Sequence, residues 1–206
     1  MKPEDYRESL FINRMKRVFI AIKIDPSKEL ISVLNTLKLR FMAEKINWIN
    51  PSNIHITLAF LGNIEEDRIS VVKTLLKEIC AESAEFSFVL RGTGVFKNFR
   101  EPRVIWMGTG ESGKLISLGN RIISGLKSTG FEIEERPFNP HITLGRIKFL
   151  KETANLKSAL EEFQESHIQE VNLNEVILYE SILNPEGPVY KALSRFSLKP
   201  DPGIYK

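Results

Sequence analysis

The sequence predicts an α+β protein built as two similar lobes that face each other across a cleft. Three observations predict it. The word His-Ile-Thr-Leu occurs twice, as His55-Ile56-Thr57-Leu58 and His141-Ile142-Thr143-Leu144, at a spacing too long for a solenoid repeat and suited to a duplicated unit. Each copy follows a Pro/Asn cluster and leads into an apolar run, the signature of a strand entered from a tight loop. Strand and helix patterns recur in both halves as two rounds of strand, strand and helix, each built around one copy.

Taken in order, residues 17–24 (RVFIAIKI) read as a strand through their Val, Ile and Phe content. Asp25-Pro26 reads as a helix start, with Asp25 as N-cap and Pro26 at the first helical position. Leu30, Val33, Leu34, Leu37 and Phe41 then recur at helical spacing. After the first copy, residues 65–81 read as a second helix, with Ile69, Val72, Leu75, Leu76 and Ile79 on one stripe. Residues 86–90 and 103–108 read as strands separated by a Gly-rich turn, Gly92-Thr93-Gly94. A third helix covers residues 115–127, and the second copy follows. A polar helix is expected over residues 151–163. Strands over residues 171–179 and 189–198 flank the turn Asn184-Pro185-Glu186-Gly187-Pro188. Residues 1–15 read as a disordered N-terminal extension, with scattered charges and no apolar stretch of the signal-peptide kind. Residues 16–200 read as a single bilobal domain.

Composition bounds the chemistry. The chain has 206 residues, 42% hydrophobic and 27% charged, within the range of ordinary globular proteins. A net charge of +3 is too small to argue for nucleic-acid binding by itself, and it leaves room for a local basic patch around an anionic ligand. The single Cys80 excludes an intramolecular disulfide and a cysteine-based zinc cluster, in keeping with a reducing cytoplasm. No apolar run reaches the length of a membrane-spanning helix, so no membrane partner is expected.

Parity turns the repeated word into chemistry. In a strand, successive side chains point to opposite faces. His55 and Thr57 therefore share one face while Ile56 and Leu58 share the other, and His141 and Thr143 stand likewise against Ile142 and Leu144. The apolar pairs face a core, and the polar pairs present an imidazole and a hydroxyl ~6.6 Å apart along the backbone. A lone strand histidine is more often structural, and Thr is a good strand former. Neither explanation covers the recurrence of Thr two residues after His in both copies. A zinc site is disfavoured, because catalytic zinc ordinarily takes three protein ligands and no Asp, Glu or Cys stands beside either copy. His167, the remaining histidine, lies in the polar stretch 164–170. Thr57 or Thr143 as nucleophile is disfavoured by its separation from the imidazole along the strand. A pair of imidazoles flanking a phosphodiester, with two hydroxyls on its non-bridging oxygens, suits in-line displacement: one histidine takes a proton from water and the other gives one to the leaving oxygen.

Two His-x-Thr-x motifs on strands resemble those of the 2H phosphoesterase superfamily. Five segments in order, residues 17–22 (RVFIAI), 53–62 (NIHITLAFLG), 96–108 (FKNFREPRVIWMG), 136–148 (RPFNPHITLGRIK) and 178–198 (LYESILNPEGPVYKALSRFSL), are similar to the RNA 2′,3′-cyclic phosphodiesterases, historically called 2′-5′ RNA ligases. The resemblance runs from about residue 16 to residue 198. It implies two pseudo-symmetric lobes, each a mainly antiparallel sheet with helices on its outer face, around a central cleft. It also implies hydrolysis of an RNA 2′,3′-cyclic phosphate to a 2′-phosphomonoester, a role in RNA processing, and no metal or nucleotide cofactor. On that likeness His55 is the proton donor to the 3′ oxygen, His141 the proton acceptor that activates water, and Thr57 and Thr143 the phosphate-binding hydroxyls. The expected partner is RNA or an oligonucleotide with a 2′,3′-cyclic phosphate end, bound by a cytoplasmic monomer. Gly145 stands where relatives often carry Ala, and the leader before Met15 has no counterpart.

Secondary candidates for substrate contact are Arg103, Arg146 and Tyr190. Arg146 follows His141 by an odd number of residues, so strict alternation sends it to the far face unless the strand bulges. Phe60, Phe99 and Trp106 are candidates for stacking a base, with core packing the alternative for each. Two other classes of function stay open at the level of sequence. One is a module that binds a nucleotide or RNA end without turnover. The other is an enzyme that forms 2′-5′ linkages or opens a small cyclic nucleotide.

Overall fold

The computed structural model describes residues 15–185 and 187–201. The extension expected over residues 1–15 lies outside the described residues, except that Met15 opens the first strand. Nine strands form one sheet: β1 (Met15–Lys23), β2 (Lys45–Trp48), β3 (His55–Glu65), β4 (Phe86–Phe96), β5 (Val104–Thr109), β6 (His141–Phe149), β7 (His167–Leu173), β8 (Glu175–Asn184) and β9 (Gly187–Ser197). The order is β7-β4-β5-β6-β3-β1-β8-β9, with β2 added to β6, and the described strand pairs are antiparallel. The helices are α1 (Lys28–Arg40), α2 (Arg68–Ala81), α3 (Gly113–Ser128) and α4 (Thr153–Glu161).

The sheet divides into two lobes at its centre. β3 and β6 meet at one pair, Ile56 opposite Ile142, and then β2 takes over that edge of β6 from Gly145 onward. One lobe is β3-β1-β8-β9 and the other is β6-β5-β4-β7 with β2. With β2 set aside, the order β1-α1-β3-α2 recurs as β5-α3-β6-α4, so a helix precedes and follows each His-Ile-Thr-Leu strand, as the helical spacings over residues 30–41, 65–81, 115–127 and 151–163 indicate. α1 also crosses to the other lobe. It packs against β7, and Arg40 at its end makes a two-pronged ion pair with Glu162.

The helices cover one face of the sheet. Val18, Ile20 and Ile22 of β1, Ile56 and Leu58 of β3, and Ile142 and Leu144 of β6 join Leu30, Leu34, Leu37, Leu76, Leu118, Ile122 and Leu160 in one continuous core. The opposite face of β1 carries Phe19 and Ala21, which pack with Ile177 and Tyr179 in a small separate cluster. Alternation thus assigns one face to helices and leaves the other free to form a site.

Several sequence expectations are corrected. The N-cap of α1 is Ser27 rather than Asp25: Ser27 Oγ accepts from the Leu30 amide at 3.2 Å, while Asp25 pairs with Lys23 at 2.7 Å. Replacing Ser27 by Ala should cost about 1 kcal/mol, against less than about 0.5 kcal/mol for Asp25→Ala, measured by urea unfolding. Gly92-Thr93-Gly94 is not a turn. The register shift between Arg91 and Thr93 makes Gly92, at φ 69°, the extra residue of a bulge, and β4 continues to Phe96. The strand expected over residues 171–179 is two strands broken at Asn174. β2 has no counterpart in the reading. It lies so close to β6 that a Cβ on Gly145 would sit 2.9 Å from Ile46 Cγ2, which accounts for glycine at that position. Among the described residues no helix is long and apolar enough to cross a membrane.

Candidate active site

The site grows from the single Ile56–Ile142 pair. Continuing that antiparallel register by one residue to either side sets His55 across from Thr143 and Thr57 across from His141. All four side chains lie on the face opposite the helical core, because Ile56, Leu58, Ile142 and Leu144 fill that core. Directly opposed side chains in such a pair stand about 5 Å apart and diagonal ones about 7–8 Å. The imidazoles occupy one diagonal and the hydroxyls the other. This opening admits one tetrahedral group, with an imidazole on each of two sides.

Both rings are oriented the same way. Residues 51–53 form a short 3₁₀ turn, capped by the Asn50 side chain. That turn aims the Asn53 carbonyl at His55 Nδ1, 2.7 Å away. In the second copy the Asn139 carbonyl lies 2.7 Å from His141 Nδ1. A carbonyl oxygen only accepts, so each Nδ1 carries its hydrogen and each Nε2 remains available for proton transfer. Burial lowers both imidazoles below their ordinary value, opposed by the bond to the Asn53 or Asn139 carbonyl. Arg146 pushes both further down, with His141 adding to the effect at His55 and Arg136 at His141.

The walls are aromatic and unequal. His55 lies 5.2 Å from the Phe19 ring and meets the Tyr190 ring edge-on at 5.2 Å. His141 meets Phe96 edge-on at 4.6 Å. The β8–β9 hairpin that carries Tyr190 is tied to the His55 turn by Asn53 Nδ2, which donates to the Pro188 carbonyl at 3.0 Å. The cleft over these residues has a volume of about 1210 Å³, with Arg17, Phe60 and Arg146 along its rim. Arg17 sits over the Phe60 ring at 4.9 Å.

Paired bulges bring the rim residues in. β3 pairs Ala59 with Ile20 and Thr57 with Ala21, leaving Leu58 as the extra residue. β6 pairs Gly145 with Ile105 and Thr143 with Trp106, leaving Leu144. The matching bulges reverse the parity that follows, so Phe60 and Arg146, each an odd step from its histidine, return to the cleft face. Tyr190 also lies in the cleft. Arg103 does not: it is exposed just ahead of β5, where its backbone pairs with Phe96 and Ile147, and it is not among the residues lining the cleft. Phe99 packs against the main core. Trp106 shares the face of Thr143 and packs against Phe96 at 5.6 Å. Arg17 and Phe19 read in sequence only as strand residues, and Phe96 falls between the expected strands 86–90 and 103–108, so none of the three stood out as a site residue. Among the described residues no three His, Cys, Asp or Glu side chains gather into a set able to hold a metal ion.

Comparisons with known proteins agree with this geometry. The chain matches the LigT-like phosphoesterase family over residues 22–106 and 110–190. It is 32% identical over 181 residues to the RNA 2′,3′-cyclic phosphodiesterase of Archaeoglobus fulgidus, covering 87% of this chain and 99% of that one. It is 34% identical over 179 residues to the RNA 2′,3′-cyclic phosphodiesterase of Thermotoga maritima, covering 86% and 92% respectively. Among solved structures, E. coli LigT complexed with 3′-AMP superposes with a TM-score of 0.73 at 25% identity, covering 90% of this chain and 99% of that one. A duplicated His/Thr strand, a two-lobed antiparallel sheet and a family match over most of the chain lead to one assignment: the chain belongs to the LigT-like phosphoesterase family.

Proposed function

We propose that this protein hydrolyses 2′,3′-cyclic phosphate ends of RNA to 2′-phosphomonoesters by metal-independent acid/base catalysis between His55 and His141. The observation that carries the reading is the diagonal His/Thr arrangement around the Ile56–Ile142 pair. The names of the relatives, RNA 2′,3′-cyclic phosphodiesterase, support the substrate. Residues 16–200 act as one bilobal unit, as a monomer, in the cytoplasm.

The cyclic phosphate sits between the imidazoles, with Thr57 and Thr143 donating to its non-bridging oxygens. His141 Nε2 takes a proton as water attacks phosphorus. The bond from phosphorus to the 3′ oxygen breaks on the opposite side, and His55 Nε2 gives that oxygen its proton. The phosphate stays on the 2′ oxygen. This division of roles follows the family resemblance, because the two motifs are identical. Each transfer contributes about 10²- to 10⁴-fold. Arg146, which acts electrostatically on both imidazoles, balances the negative charge that builds on phosphorus. Phe60, backed by Arg17, offers a face for the terminal base, and Tyr190 closes the wall beside the ribose.

The pH profile tests the pair. Catalysis needs one imidazole charged and one neutral. Burial holds both below the ordinary imidazole value of 6.5, which favours the neutral form of each ring in the free protein at neutral pH. The one-proton state fills as pH falls into that lowered range and empties again when both rings are charged. For a cyclic end, kcat/KM should therefore trace a bell with its maximum below pH 6.5. The bound phosphodiester anion favours the charged ring, so the kcat optimum lies higher. A kcat/KM profile that is flat between about pH 5 and 8 would contradict the pair.

A further inference from the structure

We propose that a small cavity beside the cleft, on the far side of His55 and Tyr190, is a second anion subsite that takes the phosphodiester joining the terminal nucleotide of an RNA end to the nucleotide before it. The inference rests on the proposed function, because it extends the same strand from the same site. The cavity has a volume of about 240 Å³; Lys23, Tyr179 and Arg195 line it, and it shares Ser52, Asn53, His55 and Tyr190 with the main cleft.

Register makes the two pockets one floor. Lys23 is the β1 partner of His55. Tyr179 is the β8 partner of Phe19, which packs on His55. Arg195 on β9 partners Ile177, a member of the same small apolar cluster. Partnered residues share a face, so Lys23, Tyr179 and Arg195 stand on the His55 face, with Lys23 one strand spacing, ~4.8 Å, from the imidazole strand. A nucleotide whose cyclic phosphate lies between the histidines continues through its 5′ oxygen into a chain with one negative charge per residue. Two cations and a phenol form a lining suited to the next charge along, and Ser52 and Asn53, held by Asn50 and the Pro188 carbonyl, form the polar step between the two pockets. Burial raises the Tyr179 hydroxyl above its ordinary range, which keeps it a donor.

Two carboxylates stand beside these cations. Lys23 pairs with Asp25 at 2.7 Å and Arg195 pairs with Glu175, and both carboxylates also act on Tyr179. Neither carboxylate lines the cavity. Such exposed pairs exchange partners at little cost, so a phosphodiester can draw on Lys23 and Arg195. The pairing also leaves the empty subsite near neutral, which favours a strand delivered by the main cleft over free anions.

Calorimetric binding of two product analogues tests the proposal without requiring turnover: a nucleoside 2′-phosphate, and a dinucleotide that ends in the same 2′-phosphate and carries one upstream phosphodiester. The wild-type protein should bind the dinucleotide about three- to tenfold more tightly. Arg195→Gln and Lys23→Gln should each bring that ratio toward one, and Glu175→Gln, which releases Arg195, should raise it. A wild-type ratio near one, or a ratio unmoved by both Arg195→Gln and Lys23→Gln, would overturn the subsite. A protein with the preference that fails to hydrolyse cyclic ends would refute the hydrolytic reading and leave the subsite standing. A protein that hydrolyses them with no preference would do the reverse.

Discussion

Replacing His55 or His141 by Ala should each lower kcat on a cyclic phosphate end by about 10²- to 10⁴-fold. The double replacement should cost far less than the product of the two single losses, since the pair acts as a unit. The fold should persist in all three proteins. Both rings stand on the cleft face, outside the helical core, and their removal opens no cavity among the residues that hold the sheet to the helices. Far-ultraviolet circular dichroism checks that point. The proposed roles separate on a substrate with a better leaving group. A general acid matters least when the departing oxygen is already a weak base, so His55→Ala should recover much of its rate on a nitrophenyl ester of a nucleoside phosphate, whereas His141→Ala should not. Equal recovery of both variants would contradict the division of labour. Undiminished activity in either variant would remove that residue from the mechanism.

Ile56→Ala should be the most damaging single truncation, because it acts on fold and site together. Ile56 is fully buried, belongs to the main core, and is half of the one pair at which β3 meets β6. Deleting its side chain removes transfer free energy and leaves a cavity, at a cost of about 2–5 kcal/mol. In a domain of this size that corresponds to roughly 5–15 °C in Tm. Ile182→Ala, at an exposed position on β8, should stay within about 0.5 kcal/mol. The activity loss of Ile56→Ala should persist at temperatures where the variant is fully folded, since His55 and Thr57 flank the residue and the opposite lobe is set by its contact with Ile142. If the folded variant kept full activity, the central pair would not be what spaces the four catalytic and binding groups.

Much of this was legible because the site is written in parity. His and Thr two apart on a strand share a face whatever the tertiary structure, and Ile and Leu between them name the core side. Helix interiors were legible through Leu30, Leu34 and Leu37 or Ile69, Val72 and Leu76. Ends were less so: Asp25-Pro26 reads as the helix start, and the loop path puts the cap two residues on, at Ser27. Gln169 settles it, accepting from the Ser27 amide and donating to the Asp25 carbonyl from β7. β2 alternates polar and apolar residues but over only four positions, too short a run to stand out, and it exists because β6 offers an edge that β3 abandons. Arg146 could be placed only conditionally, since a bulge depends on the partner strand. Arg103 looked equivalent to Arg146 in sequence and is not in the cleft. The donor and acceptor roles of His55 and His141 are invisible to parity altogether, because the two words are the same.

The most direct test of two-histidine, metal-independent chemistry is hydrolysis of an oligonucleotide with a 2′,3′-cyclic phosphate end by protein dialysed against EDTA and assayed with EDTA present, with identification of the oxygen that keeps the phosphate. Turnover should be undiminished by the chelator, with a 2′-phosphomonoester as the product. Turnover that appears only when a divalent metal is restored, or a product that carries its phosphate on the 3′ oxygen, would contradict that chemistry.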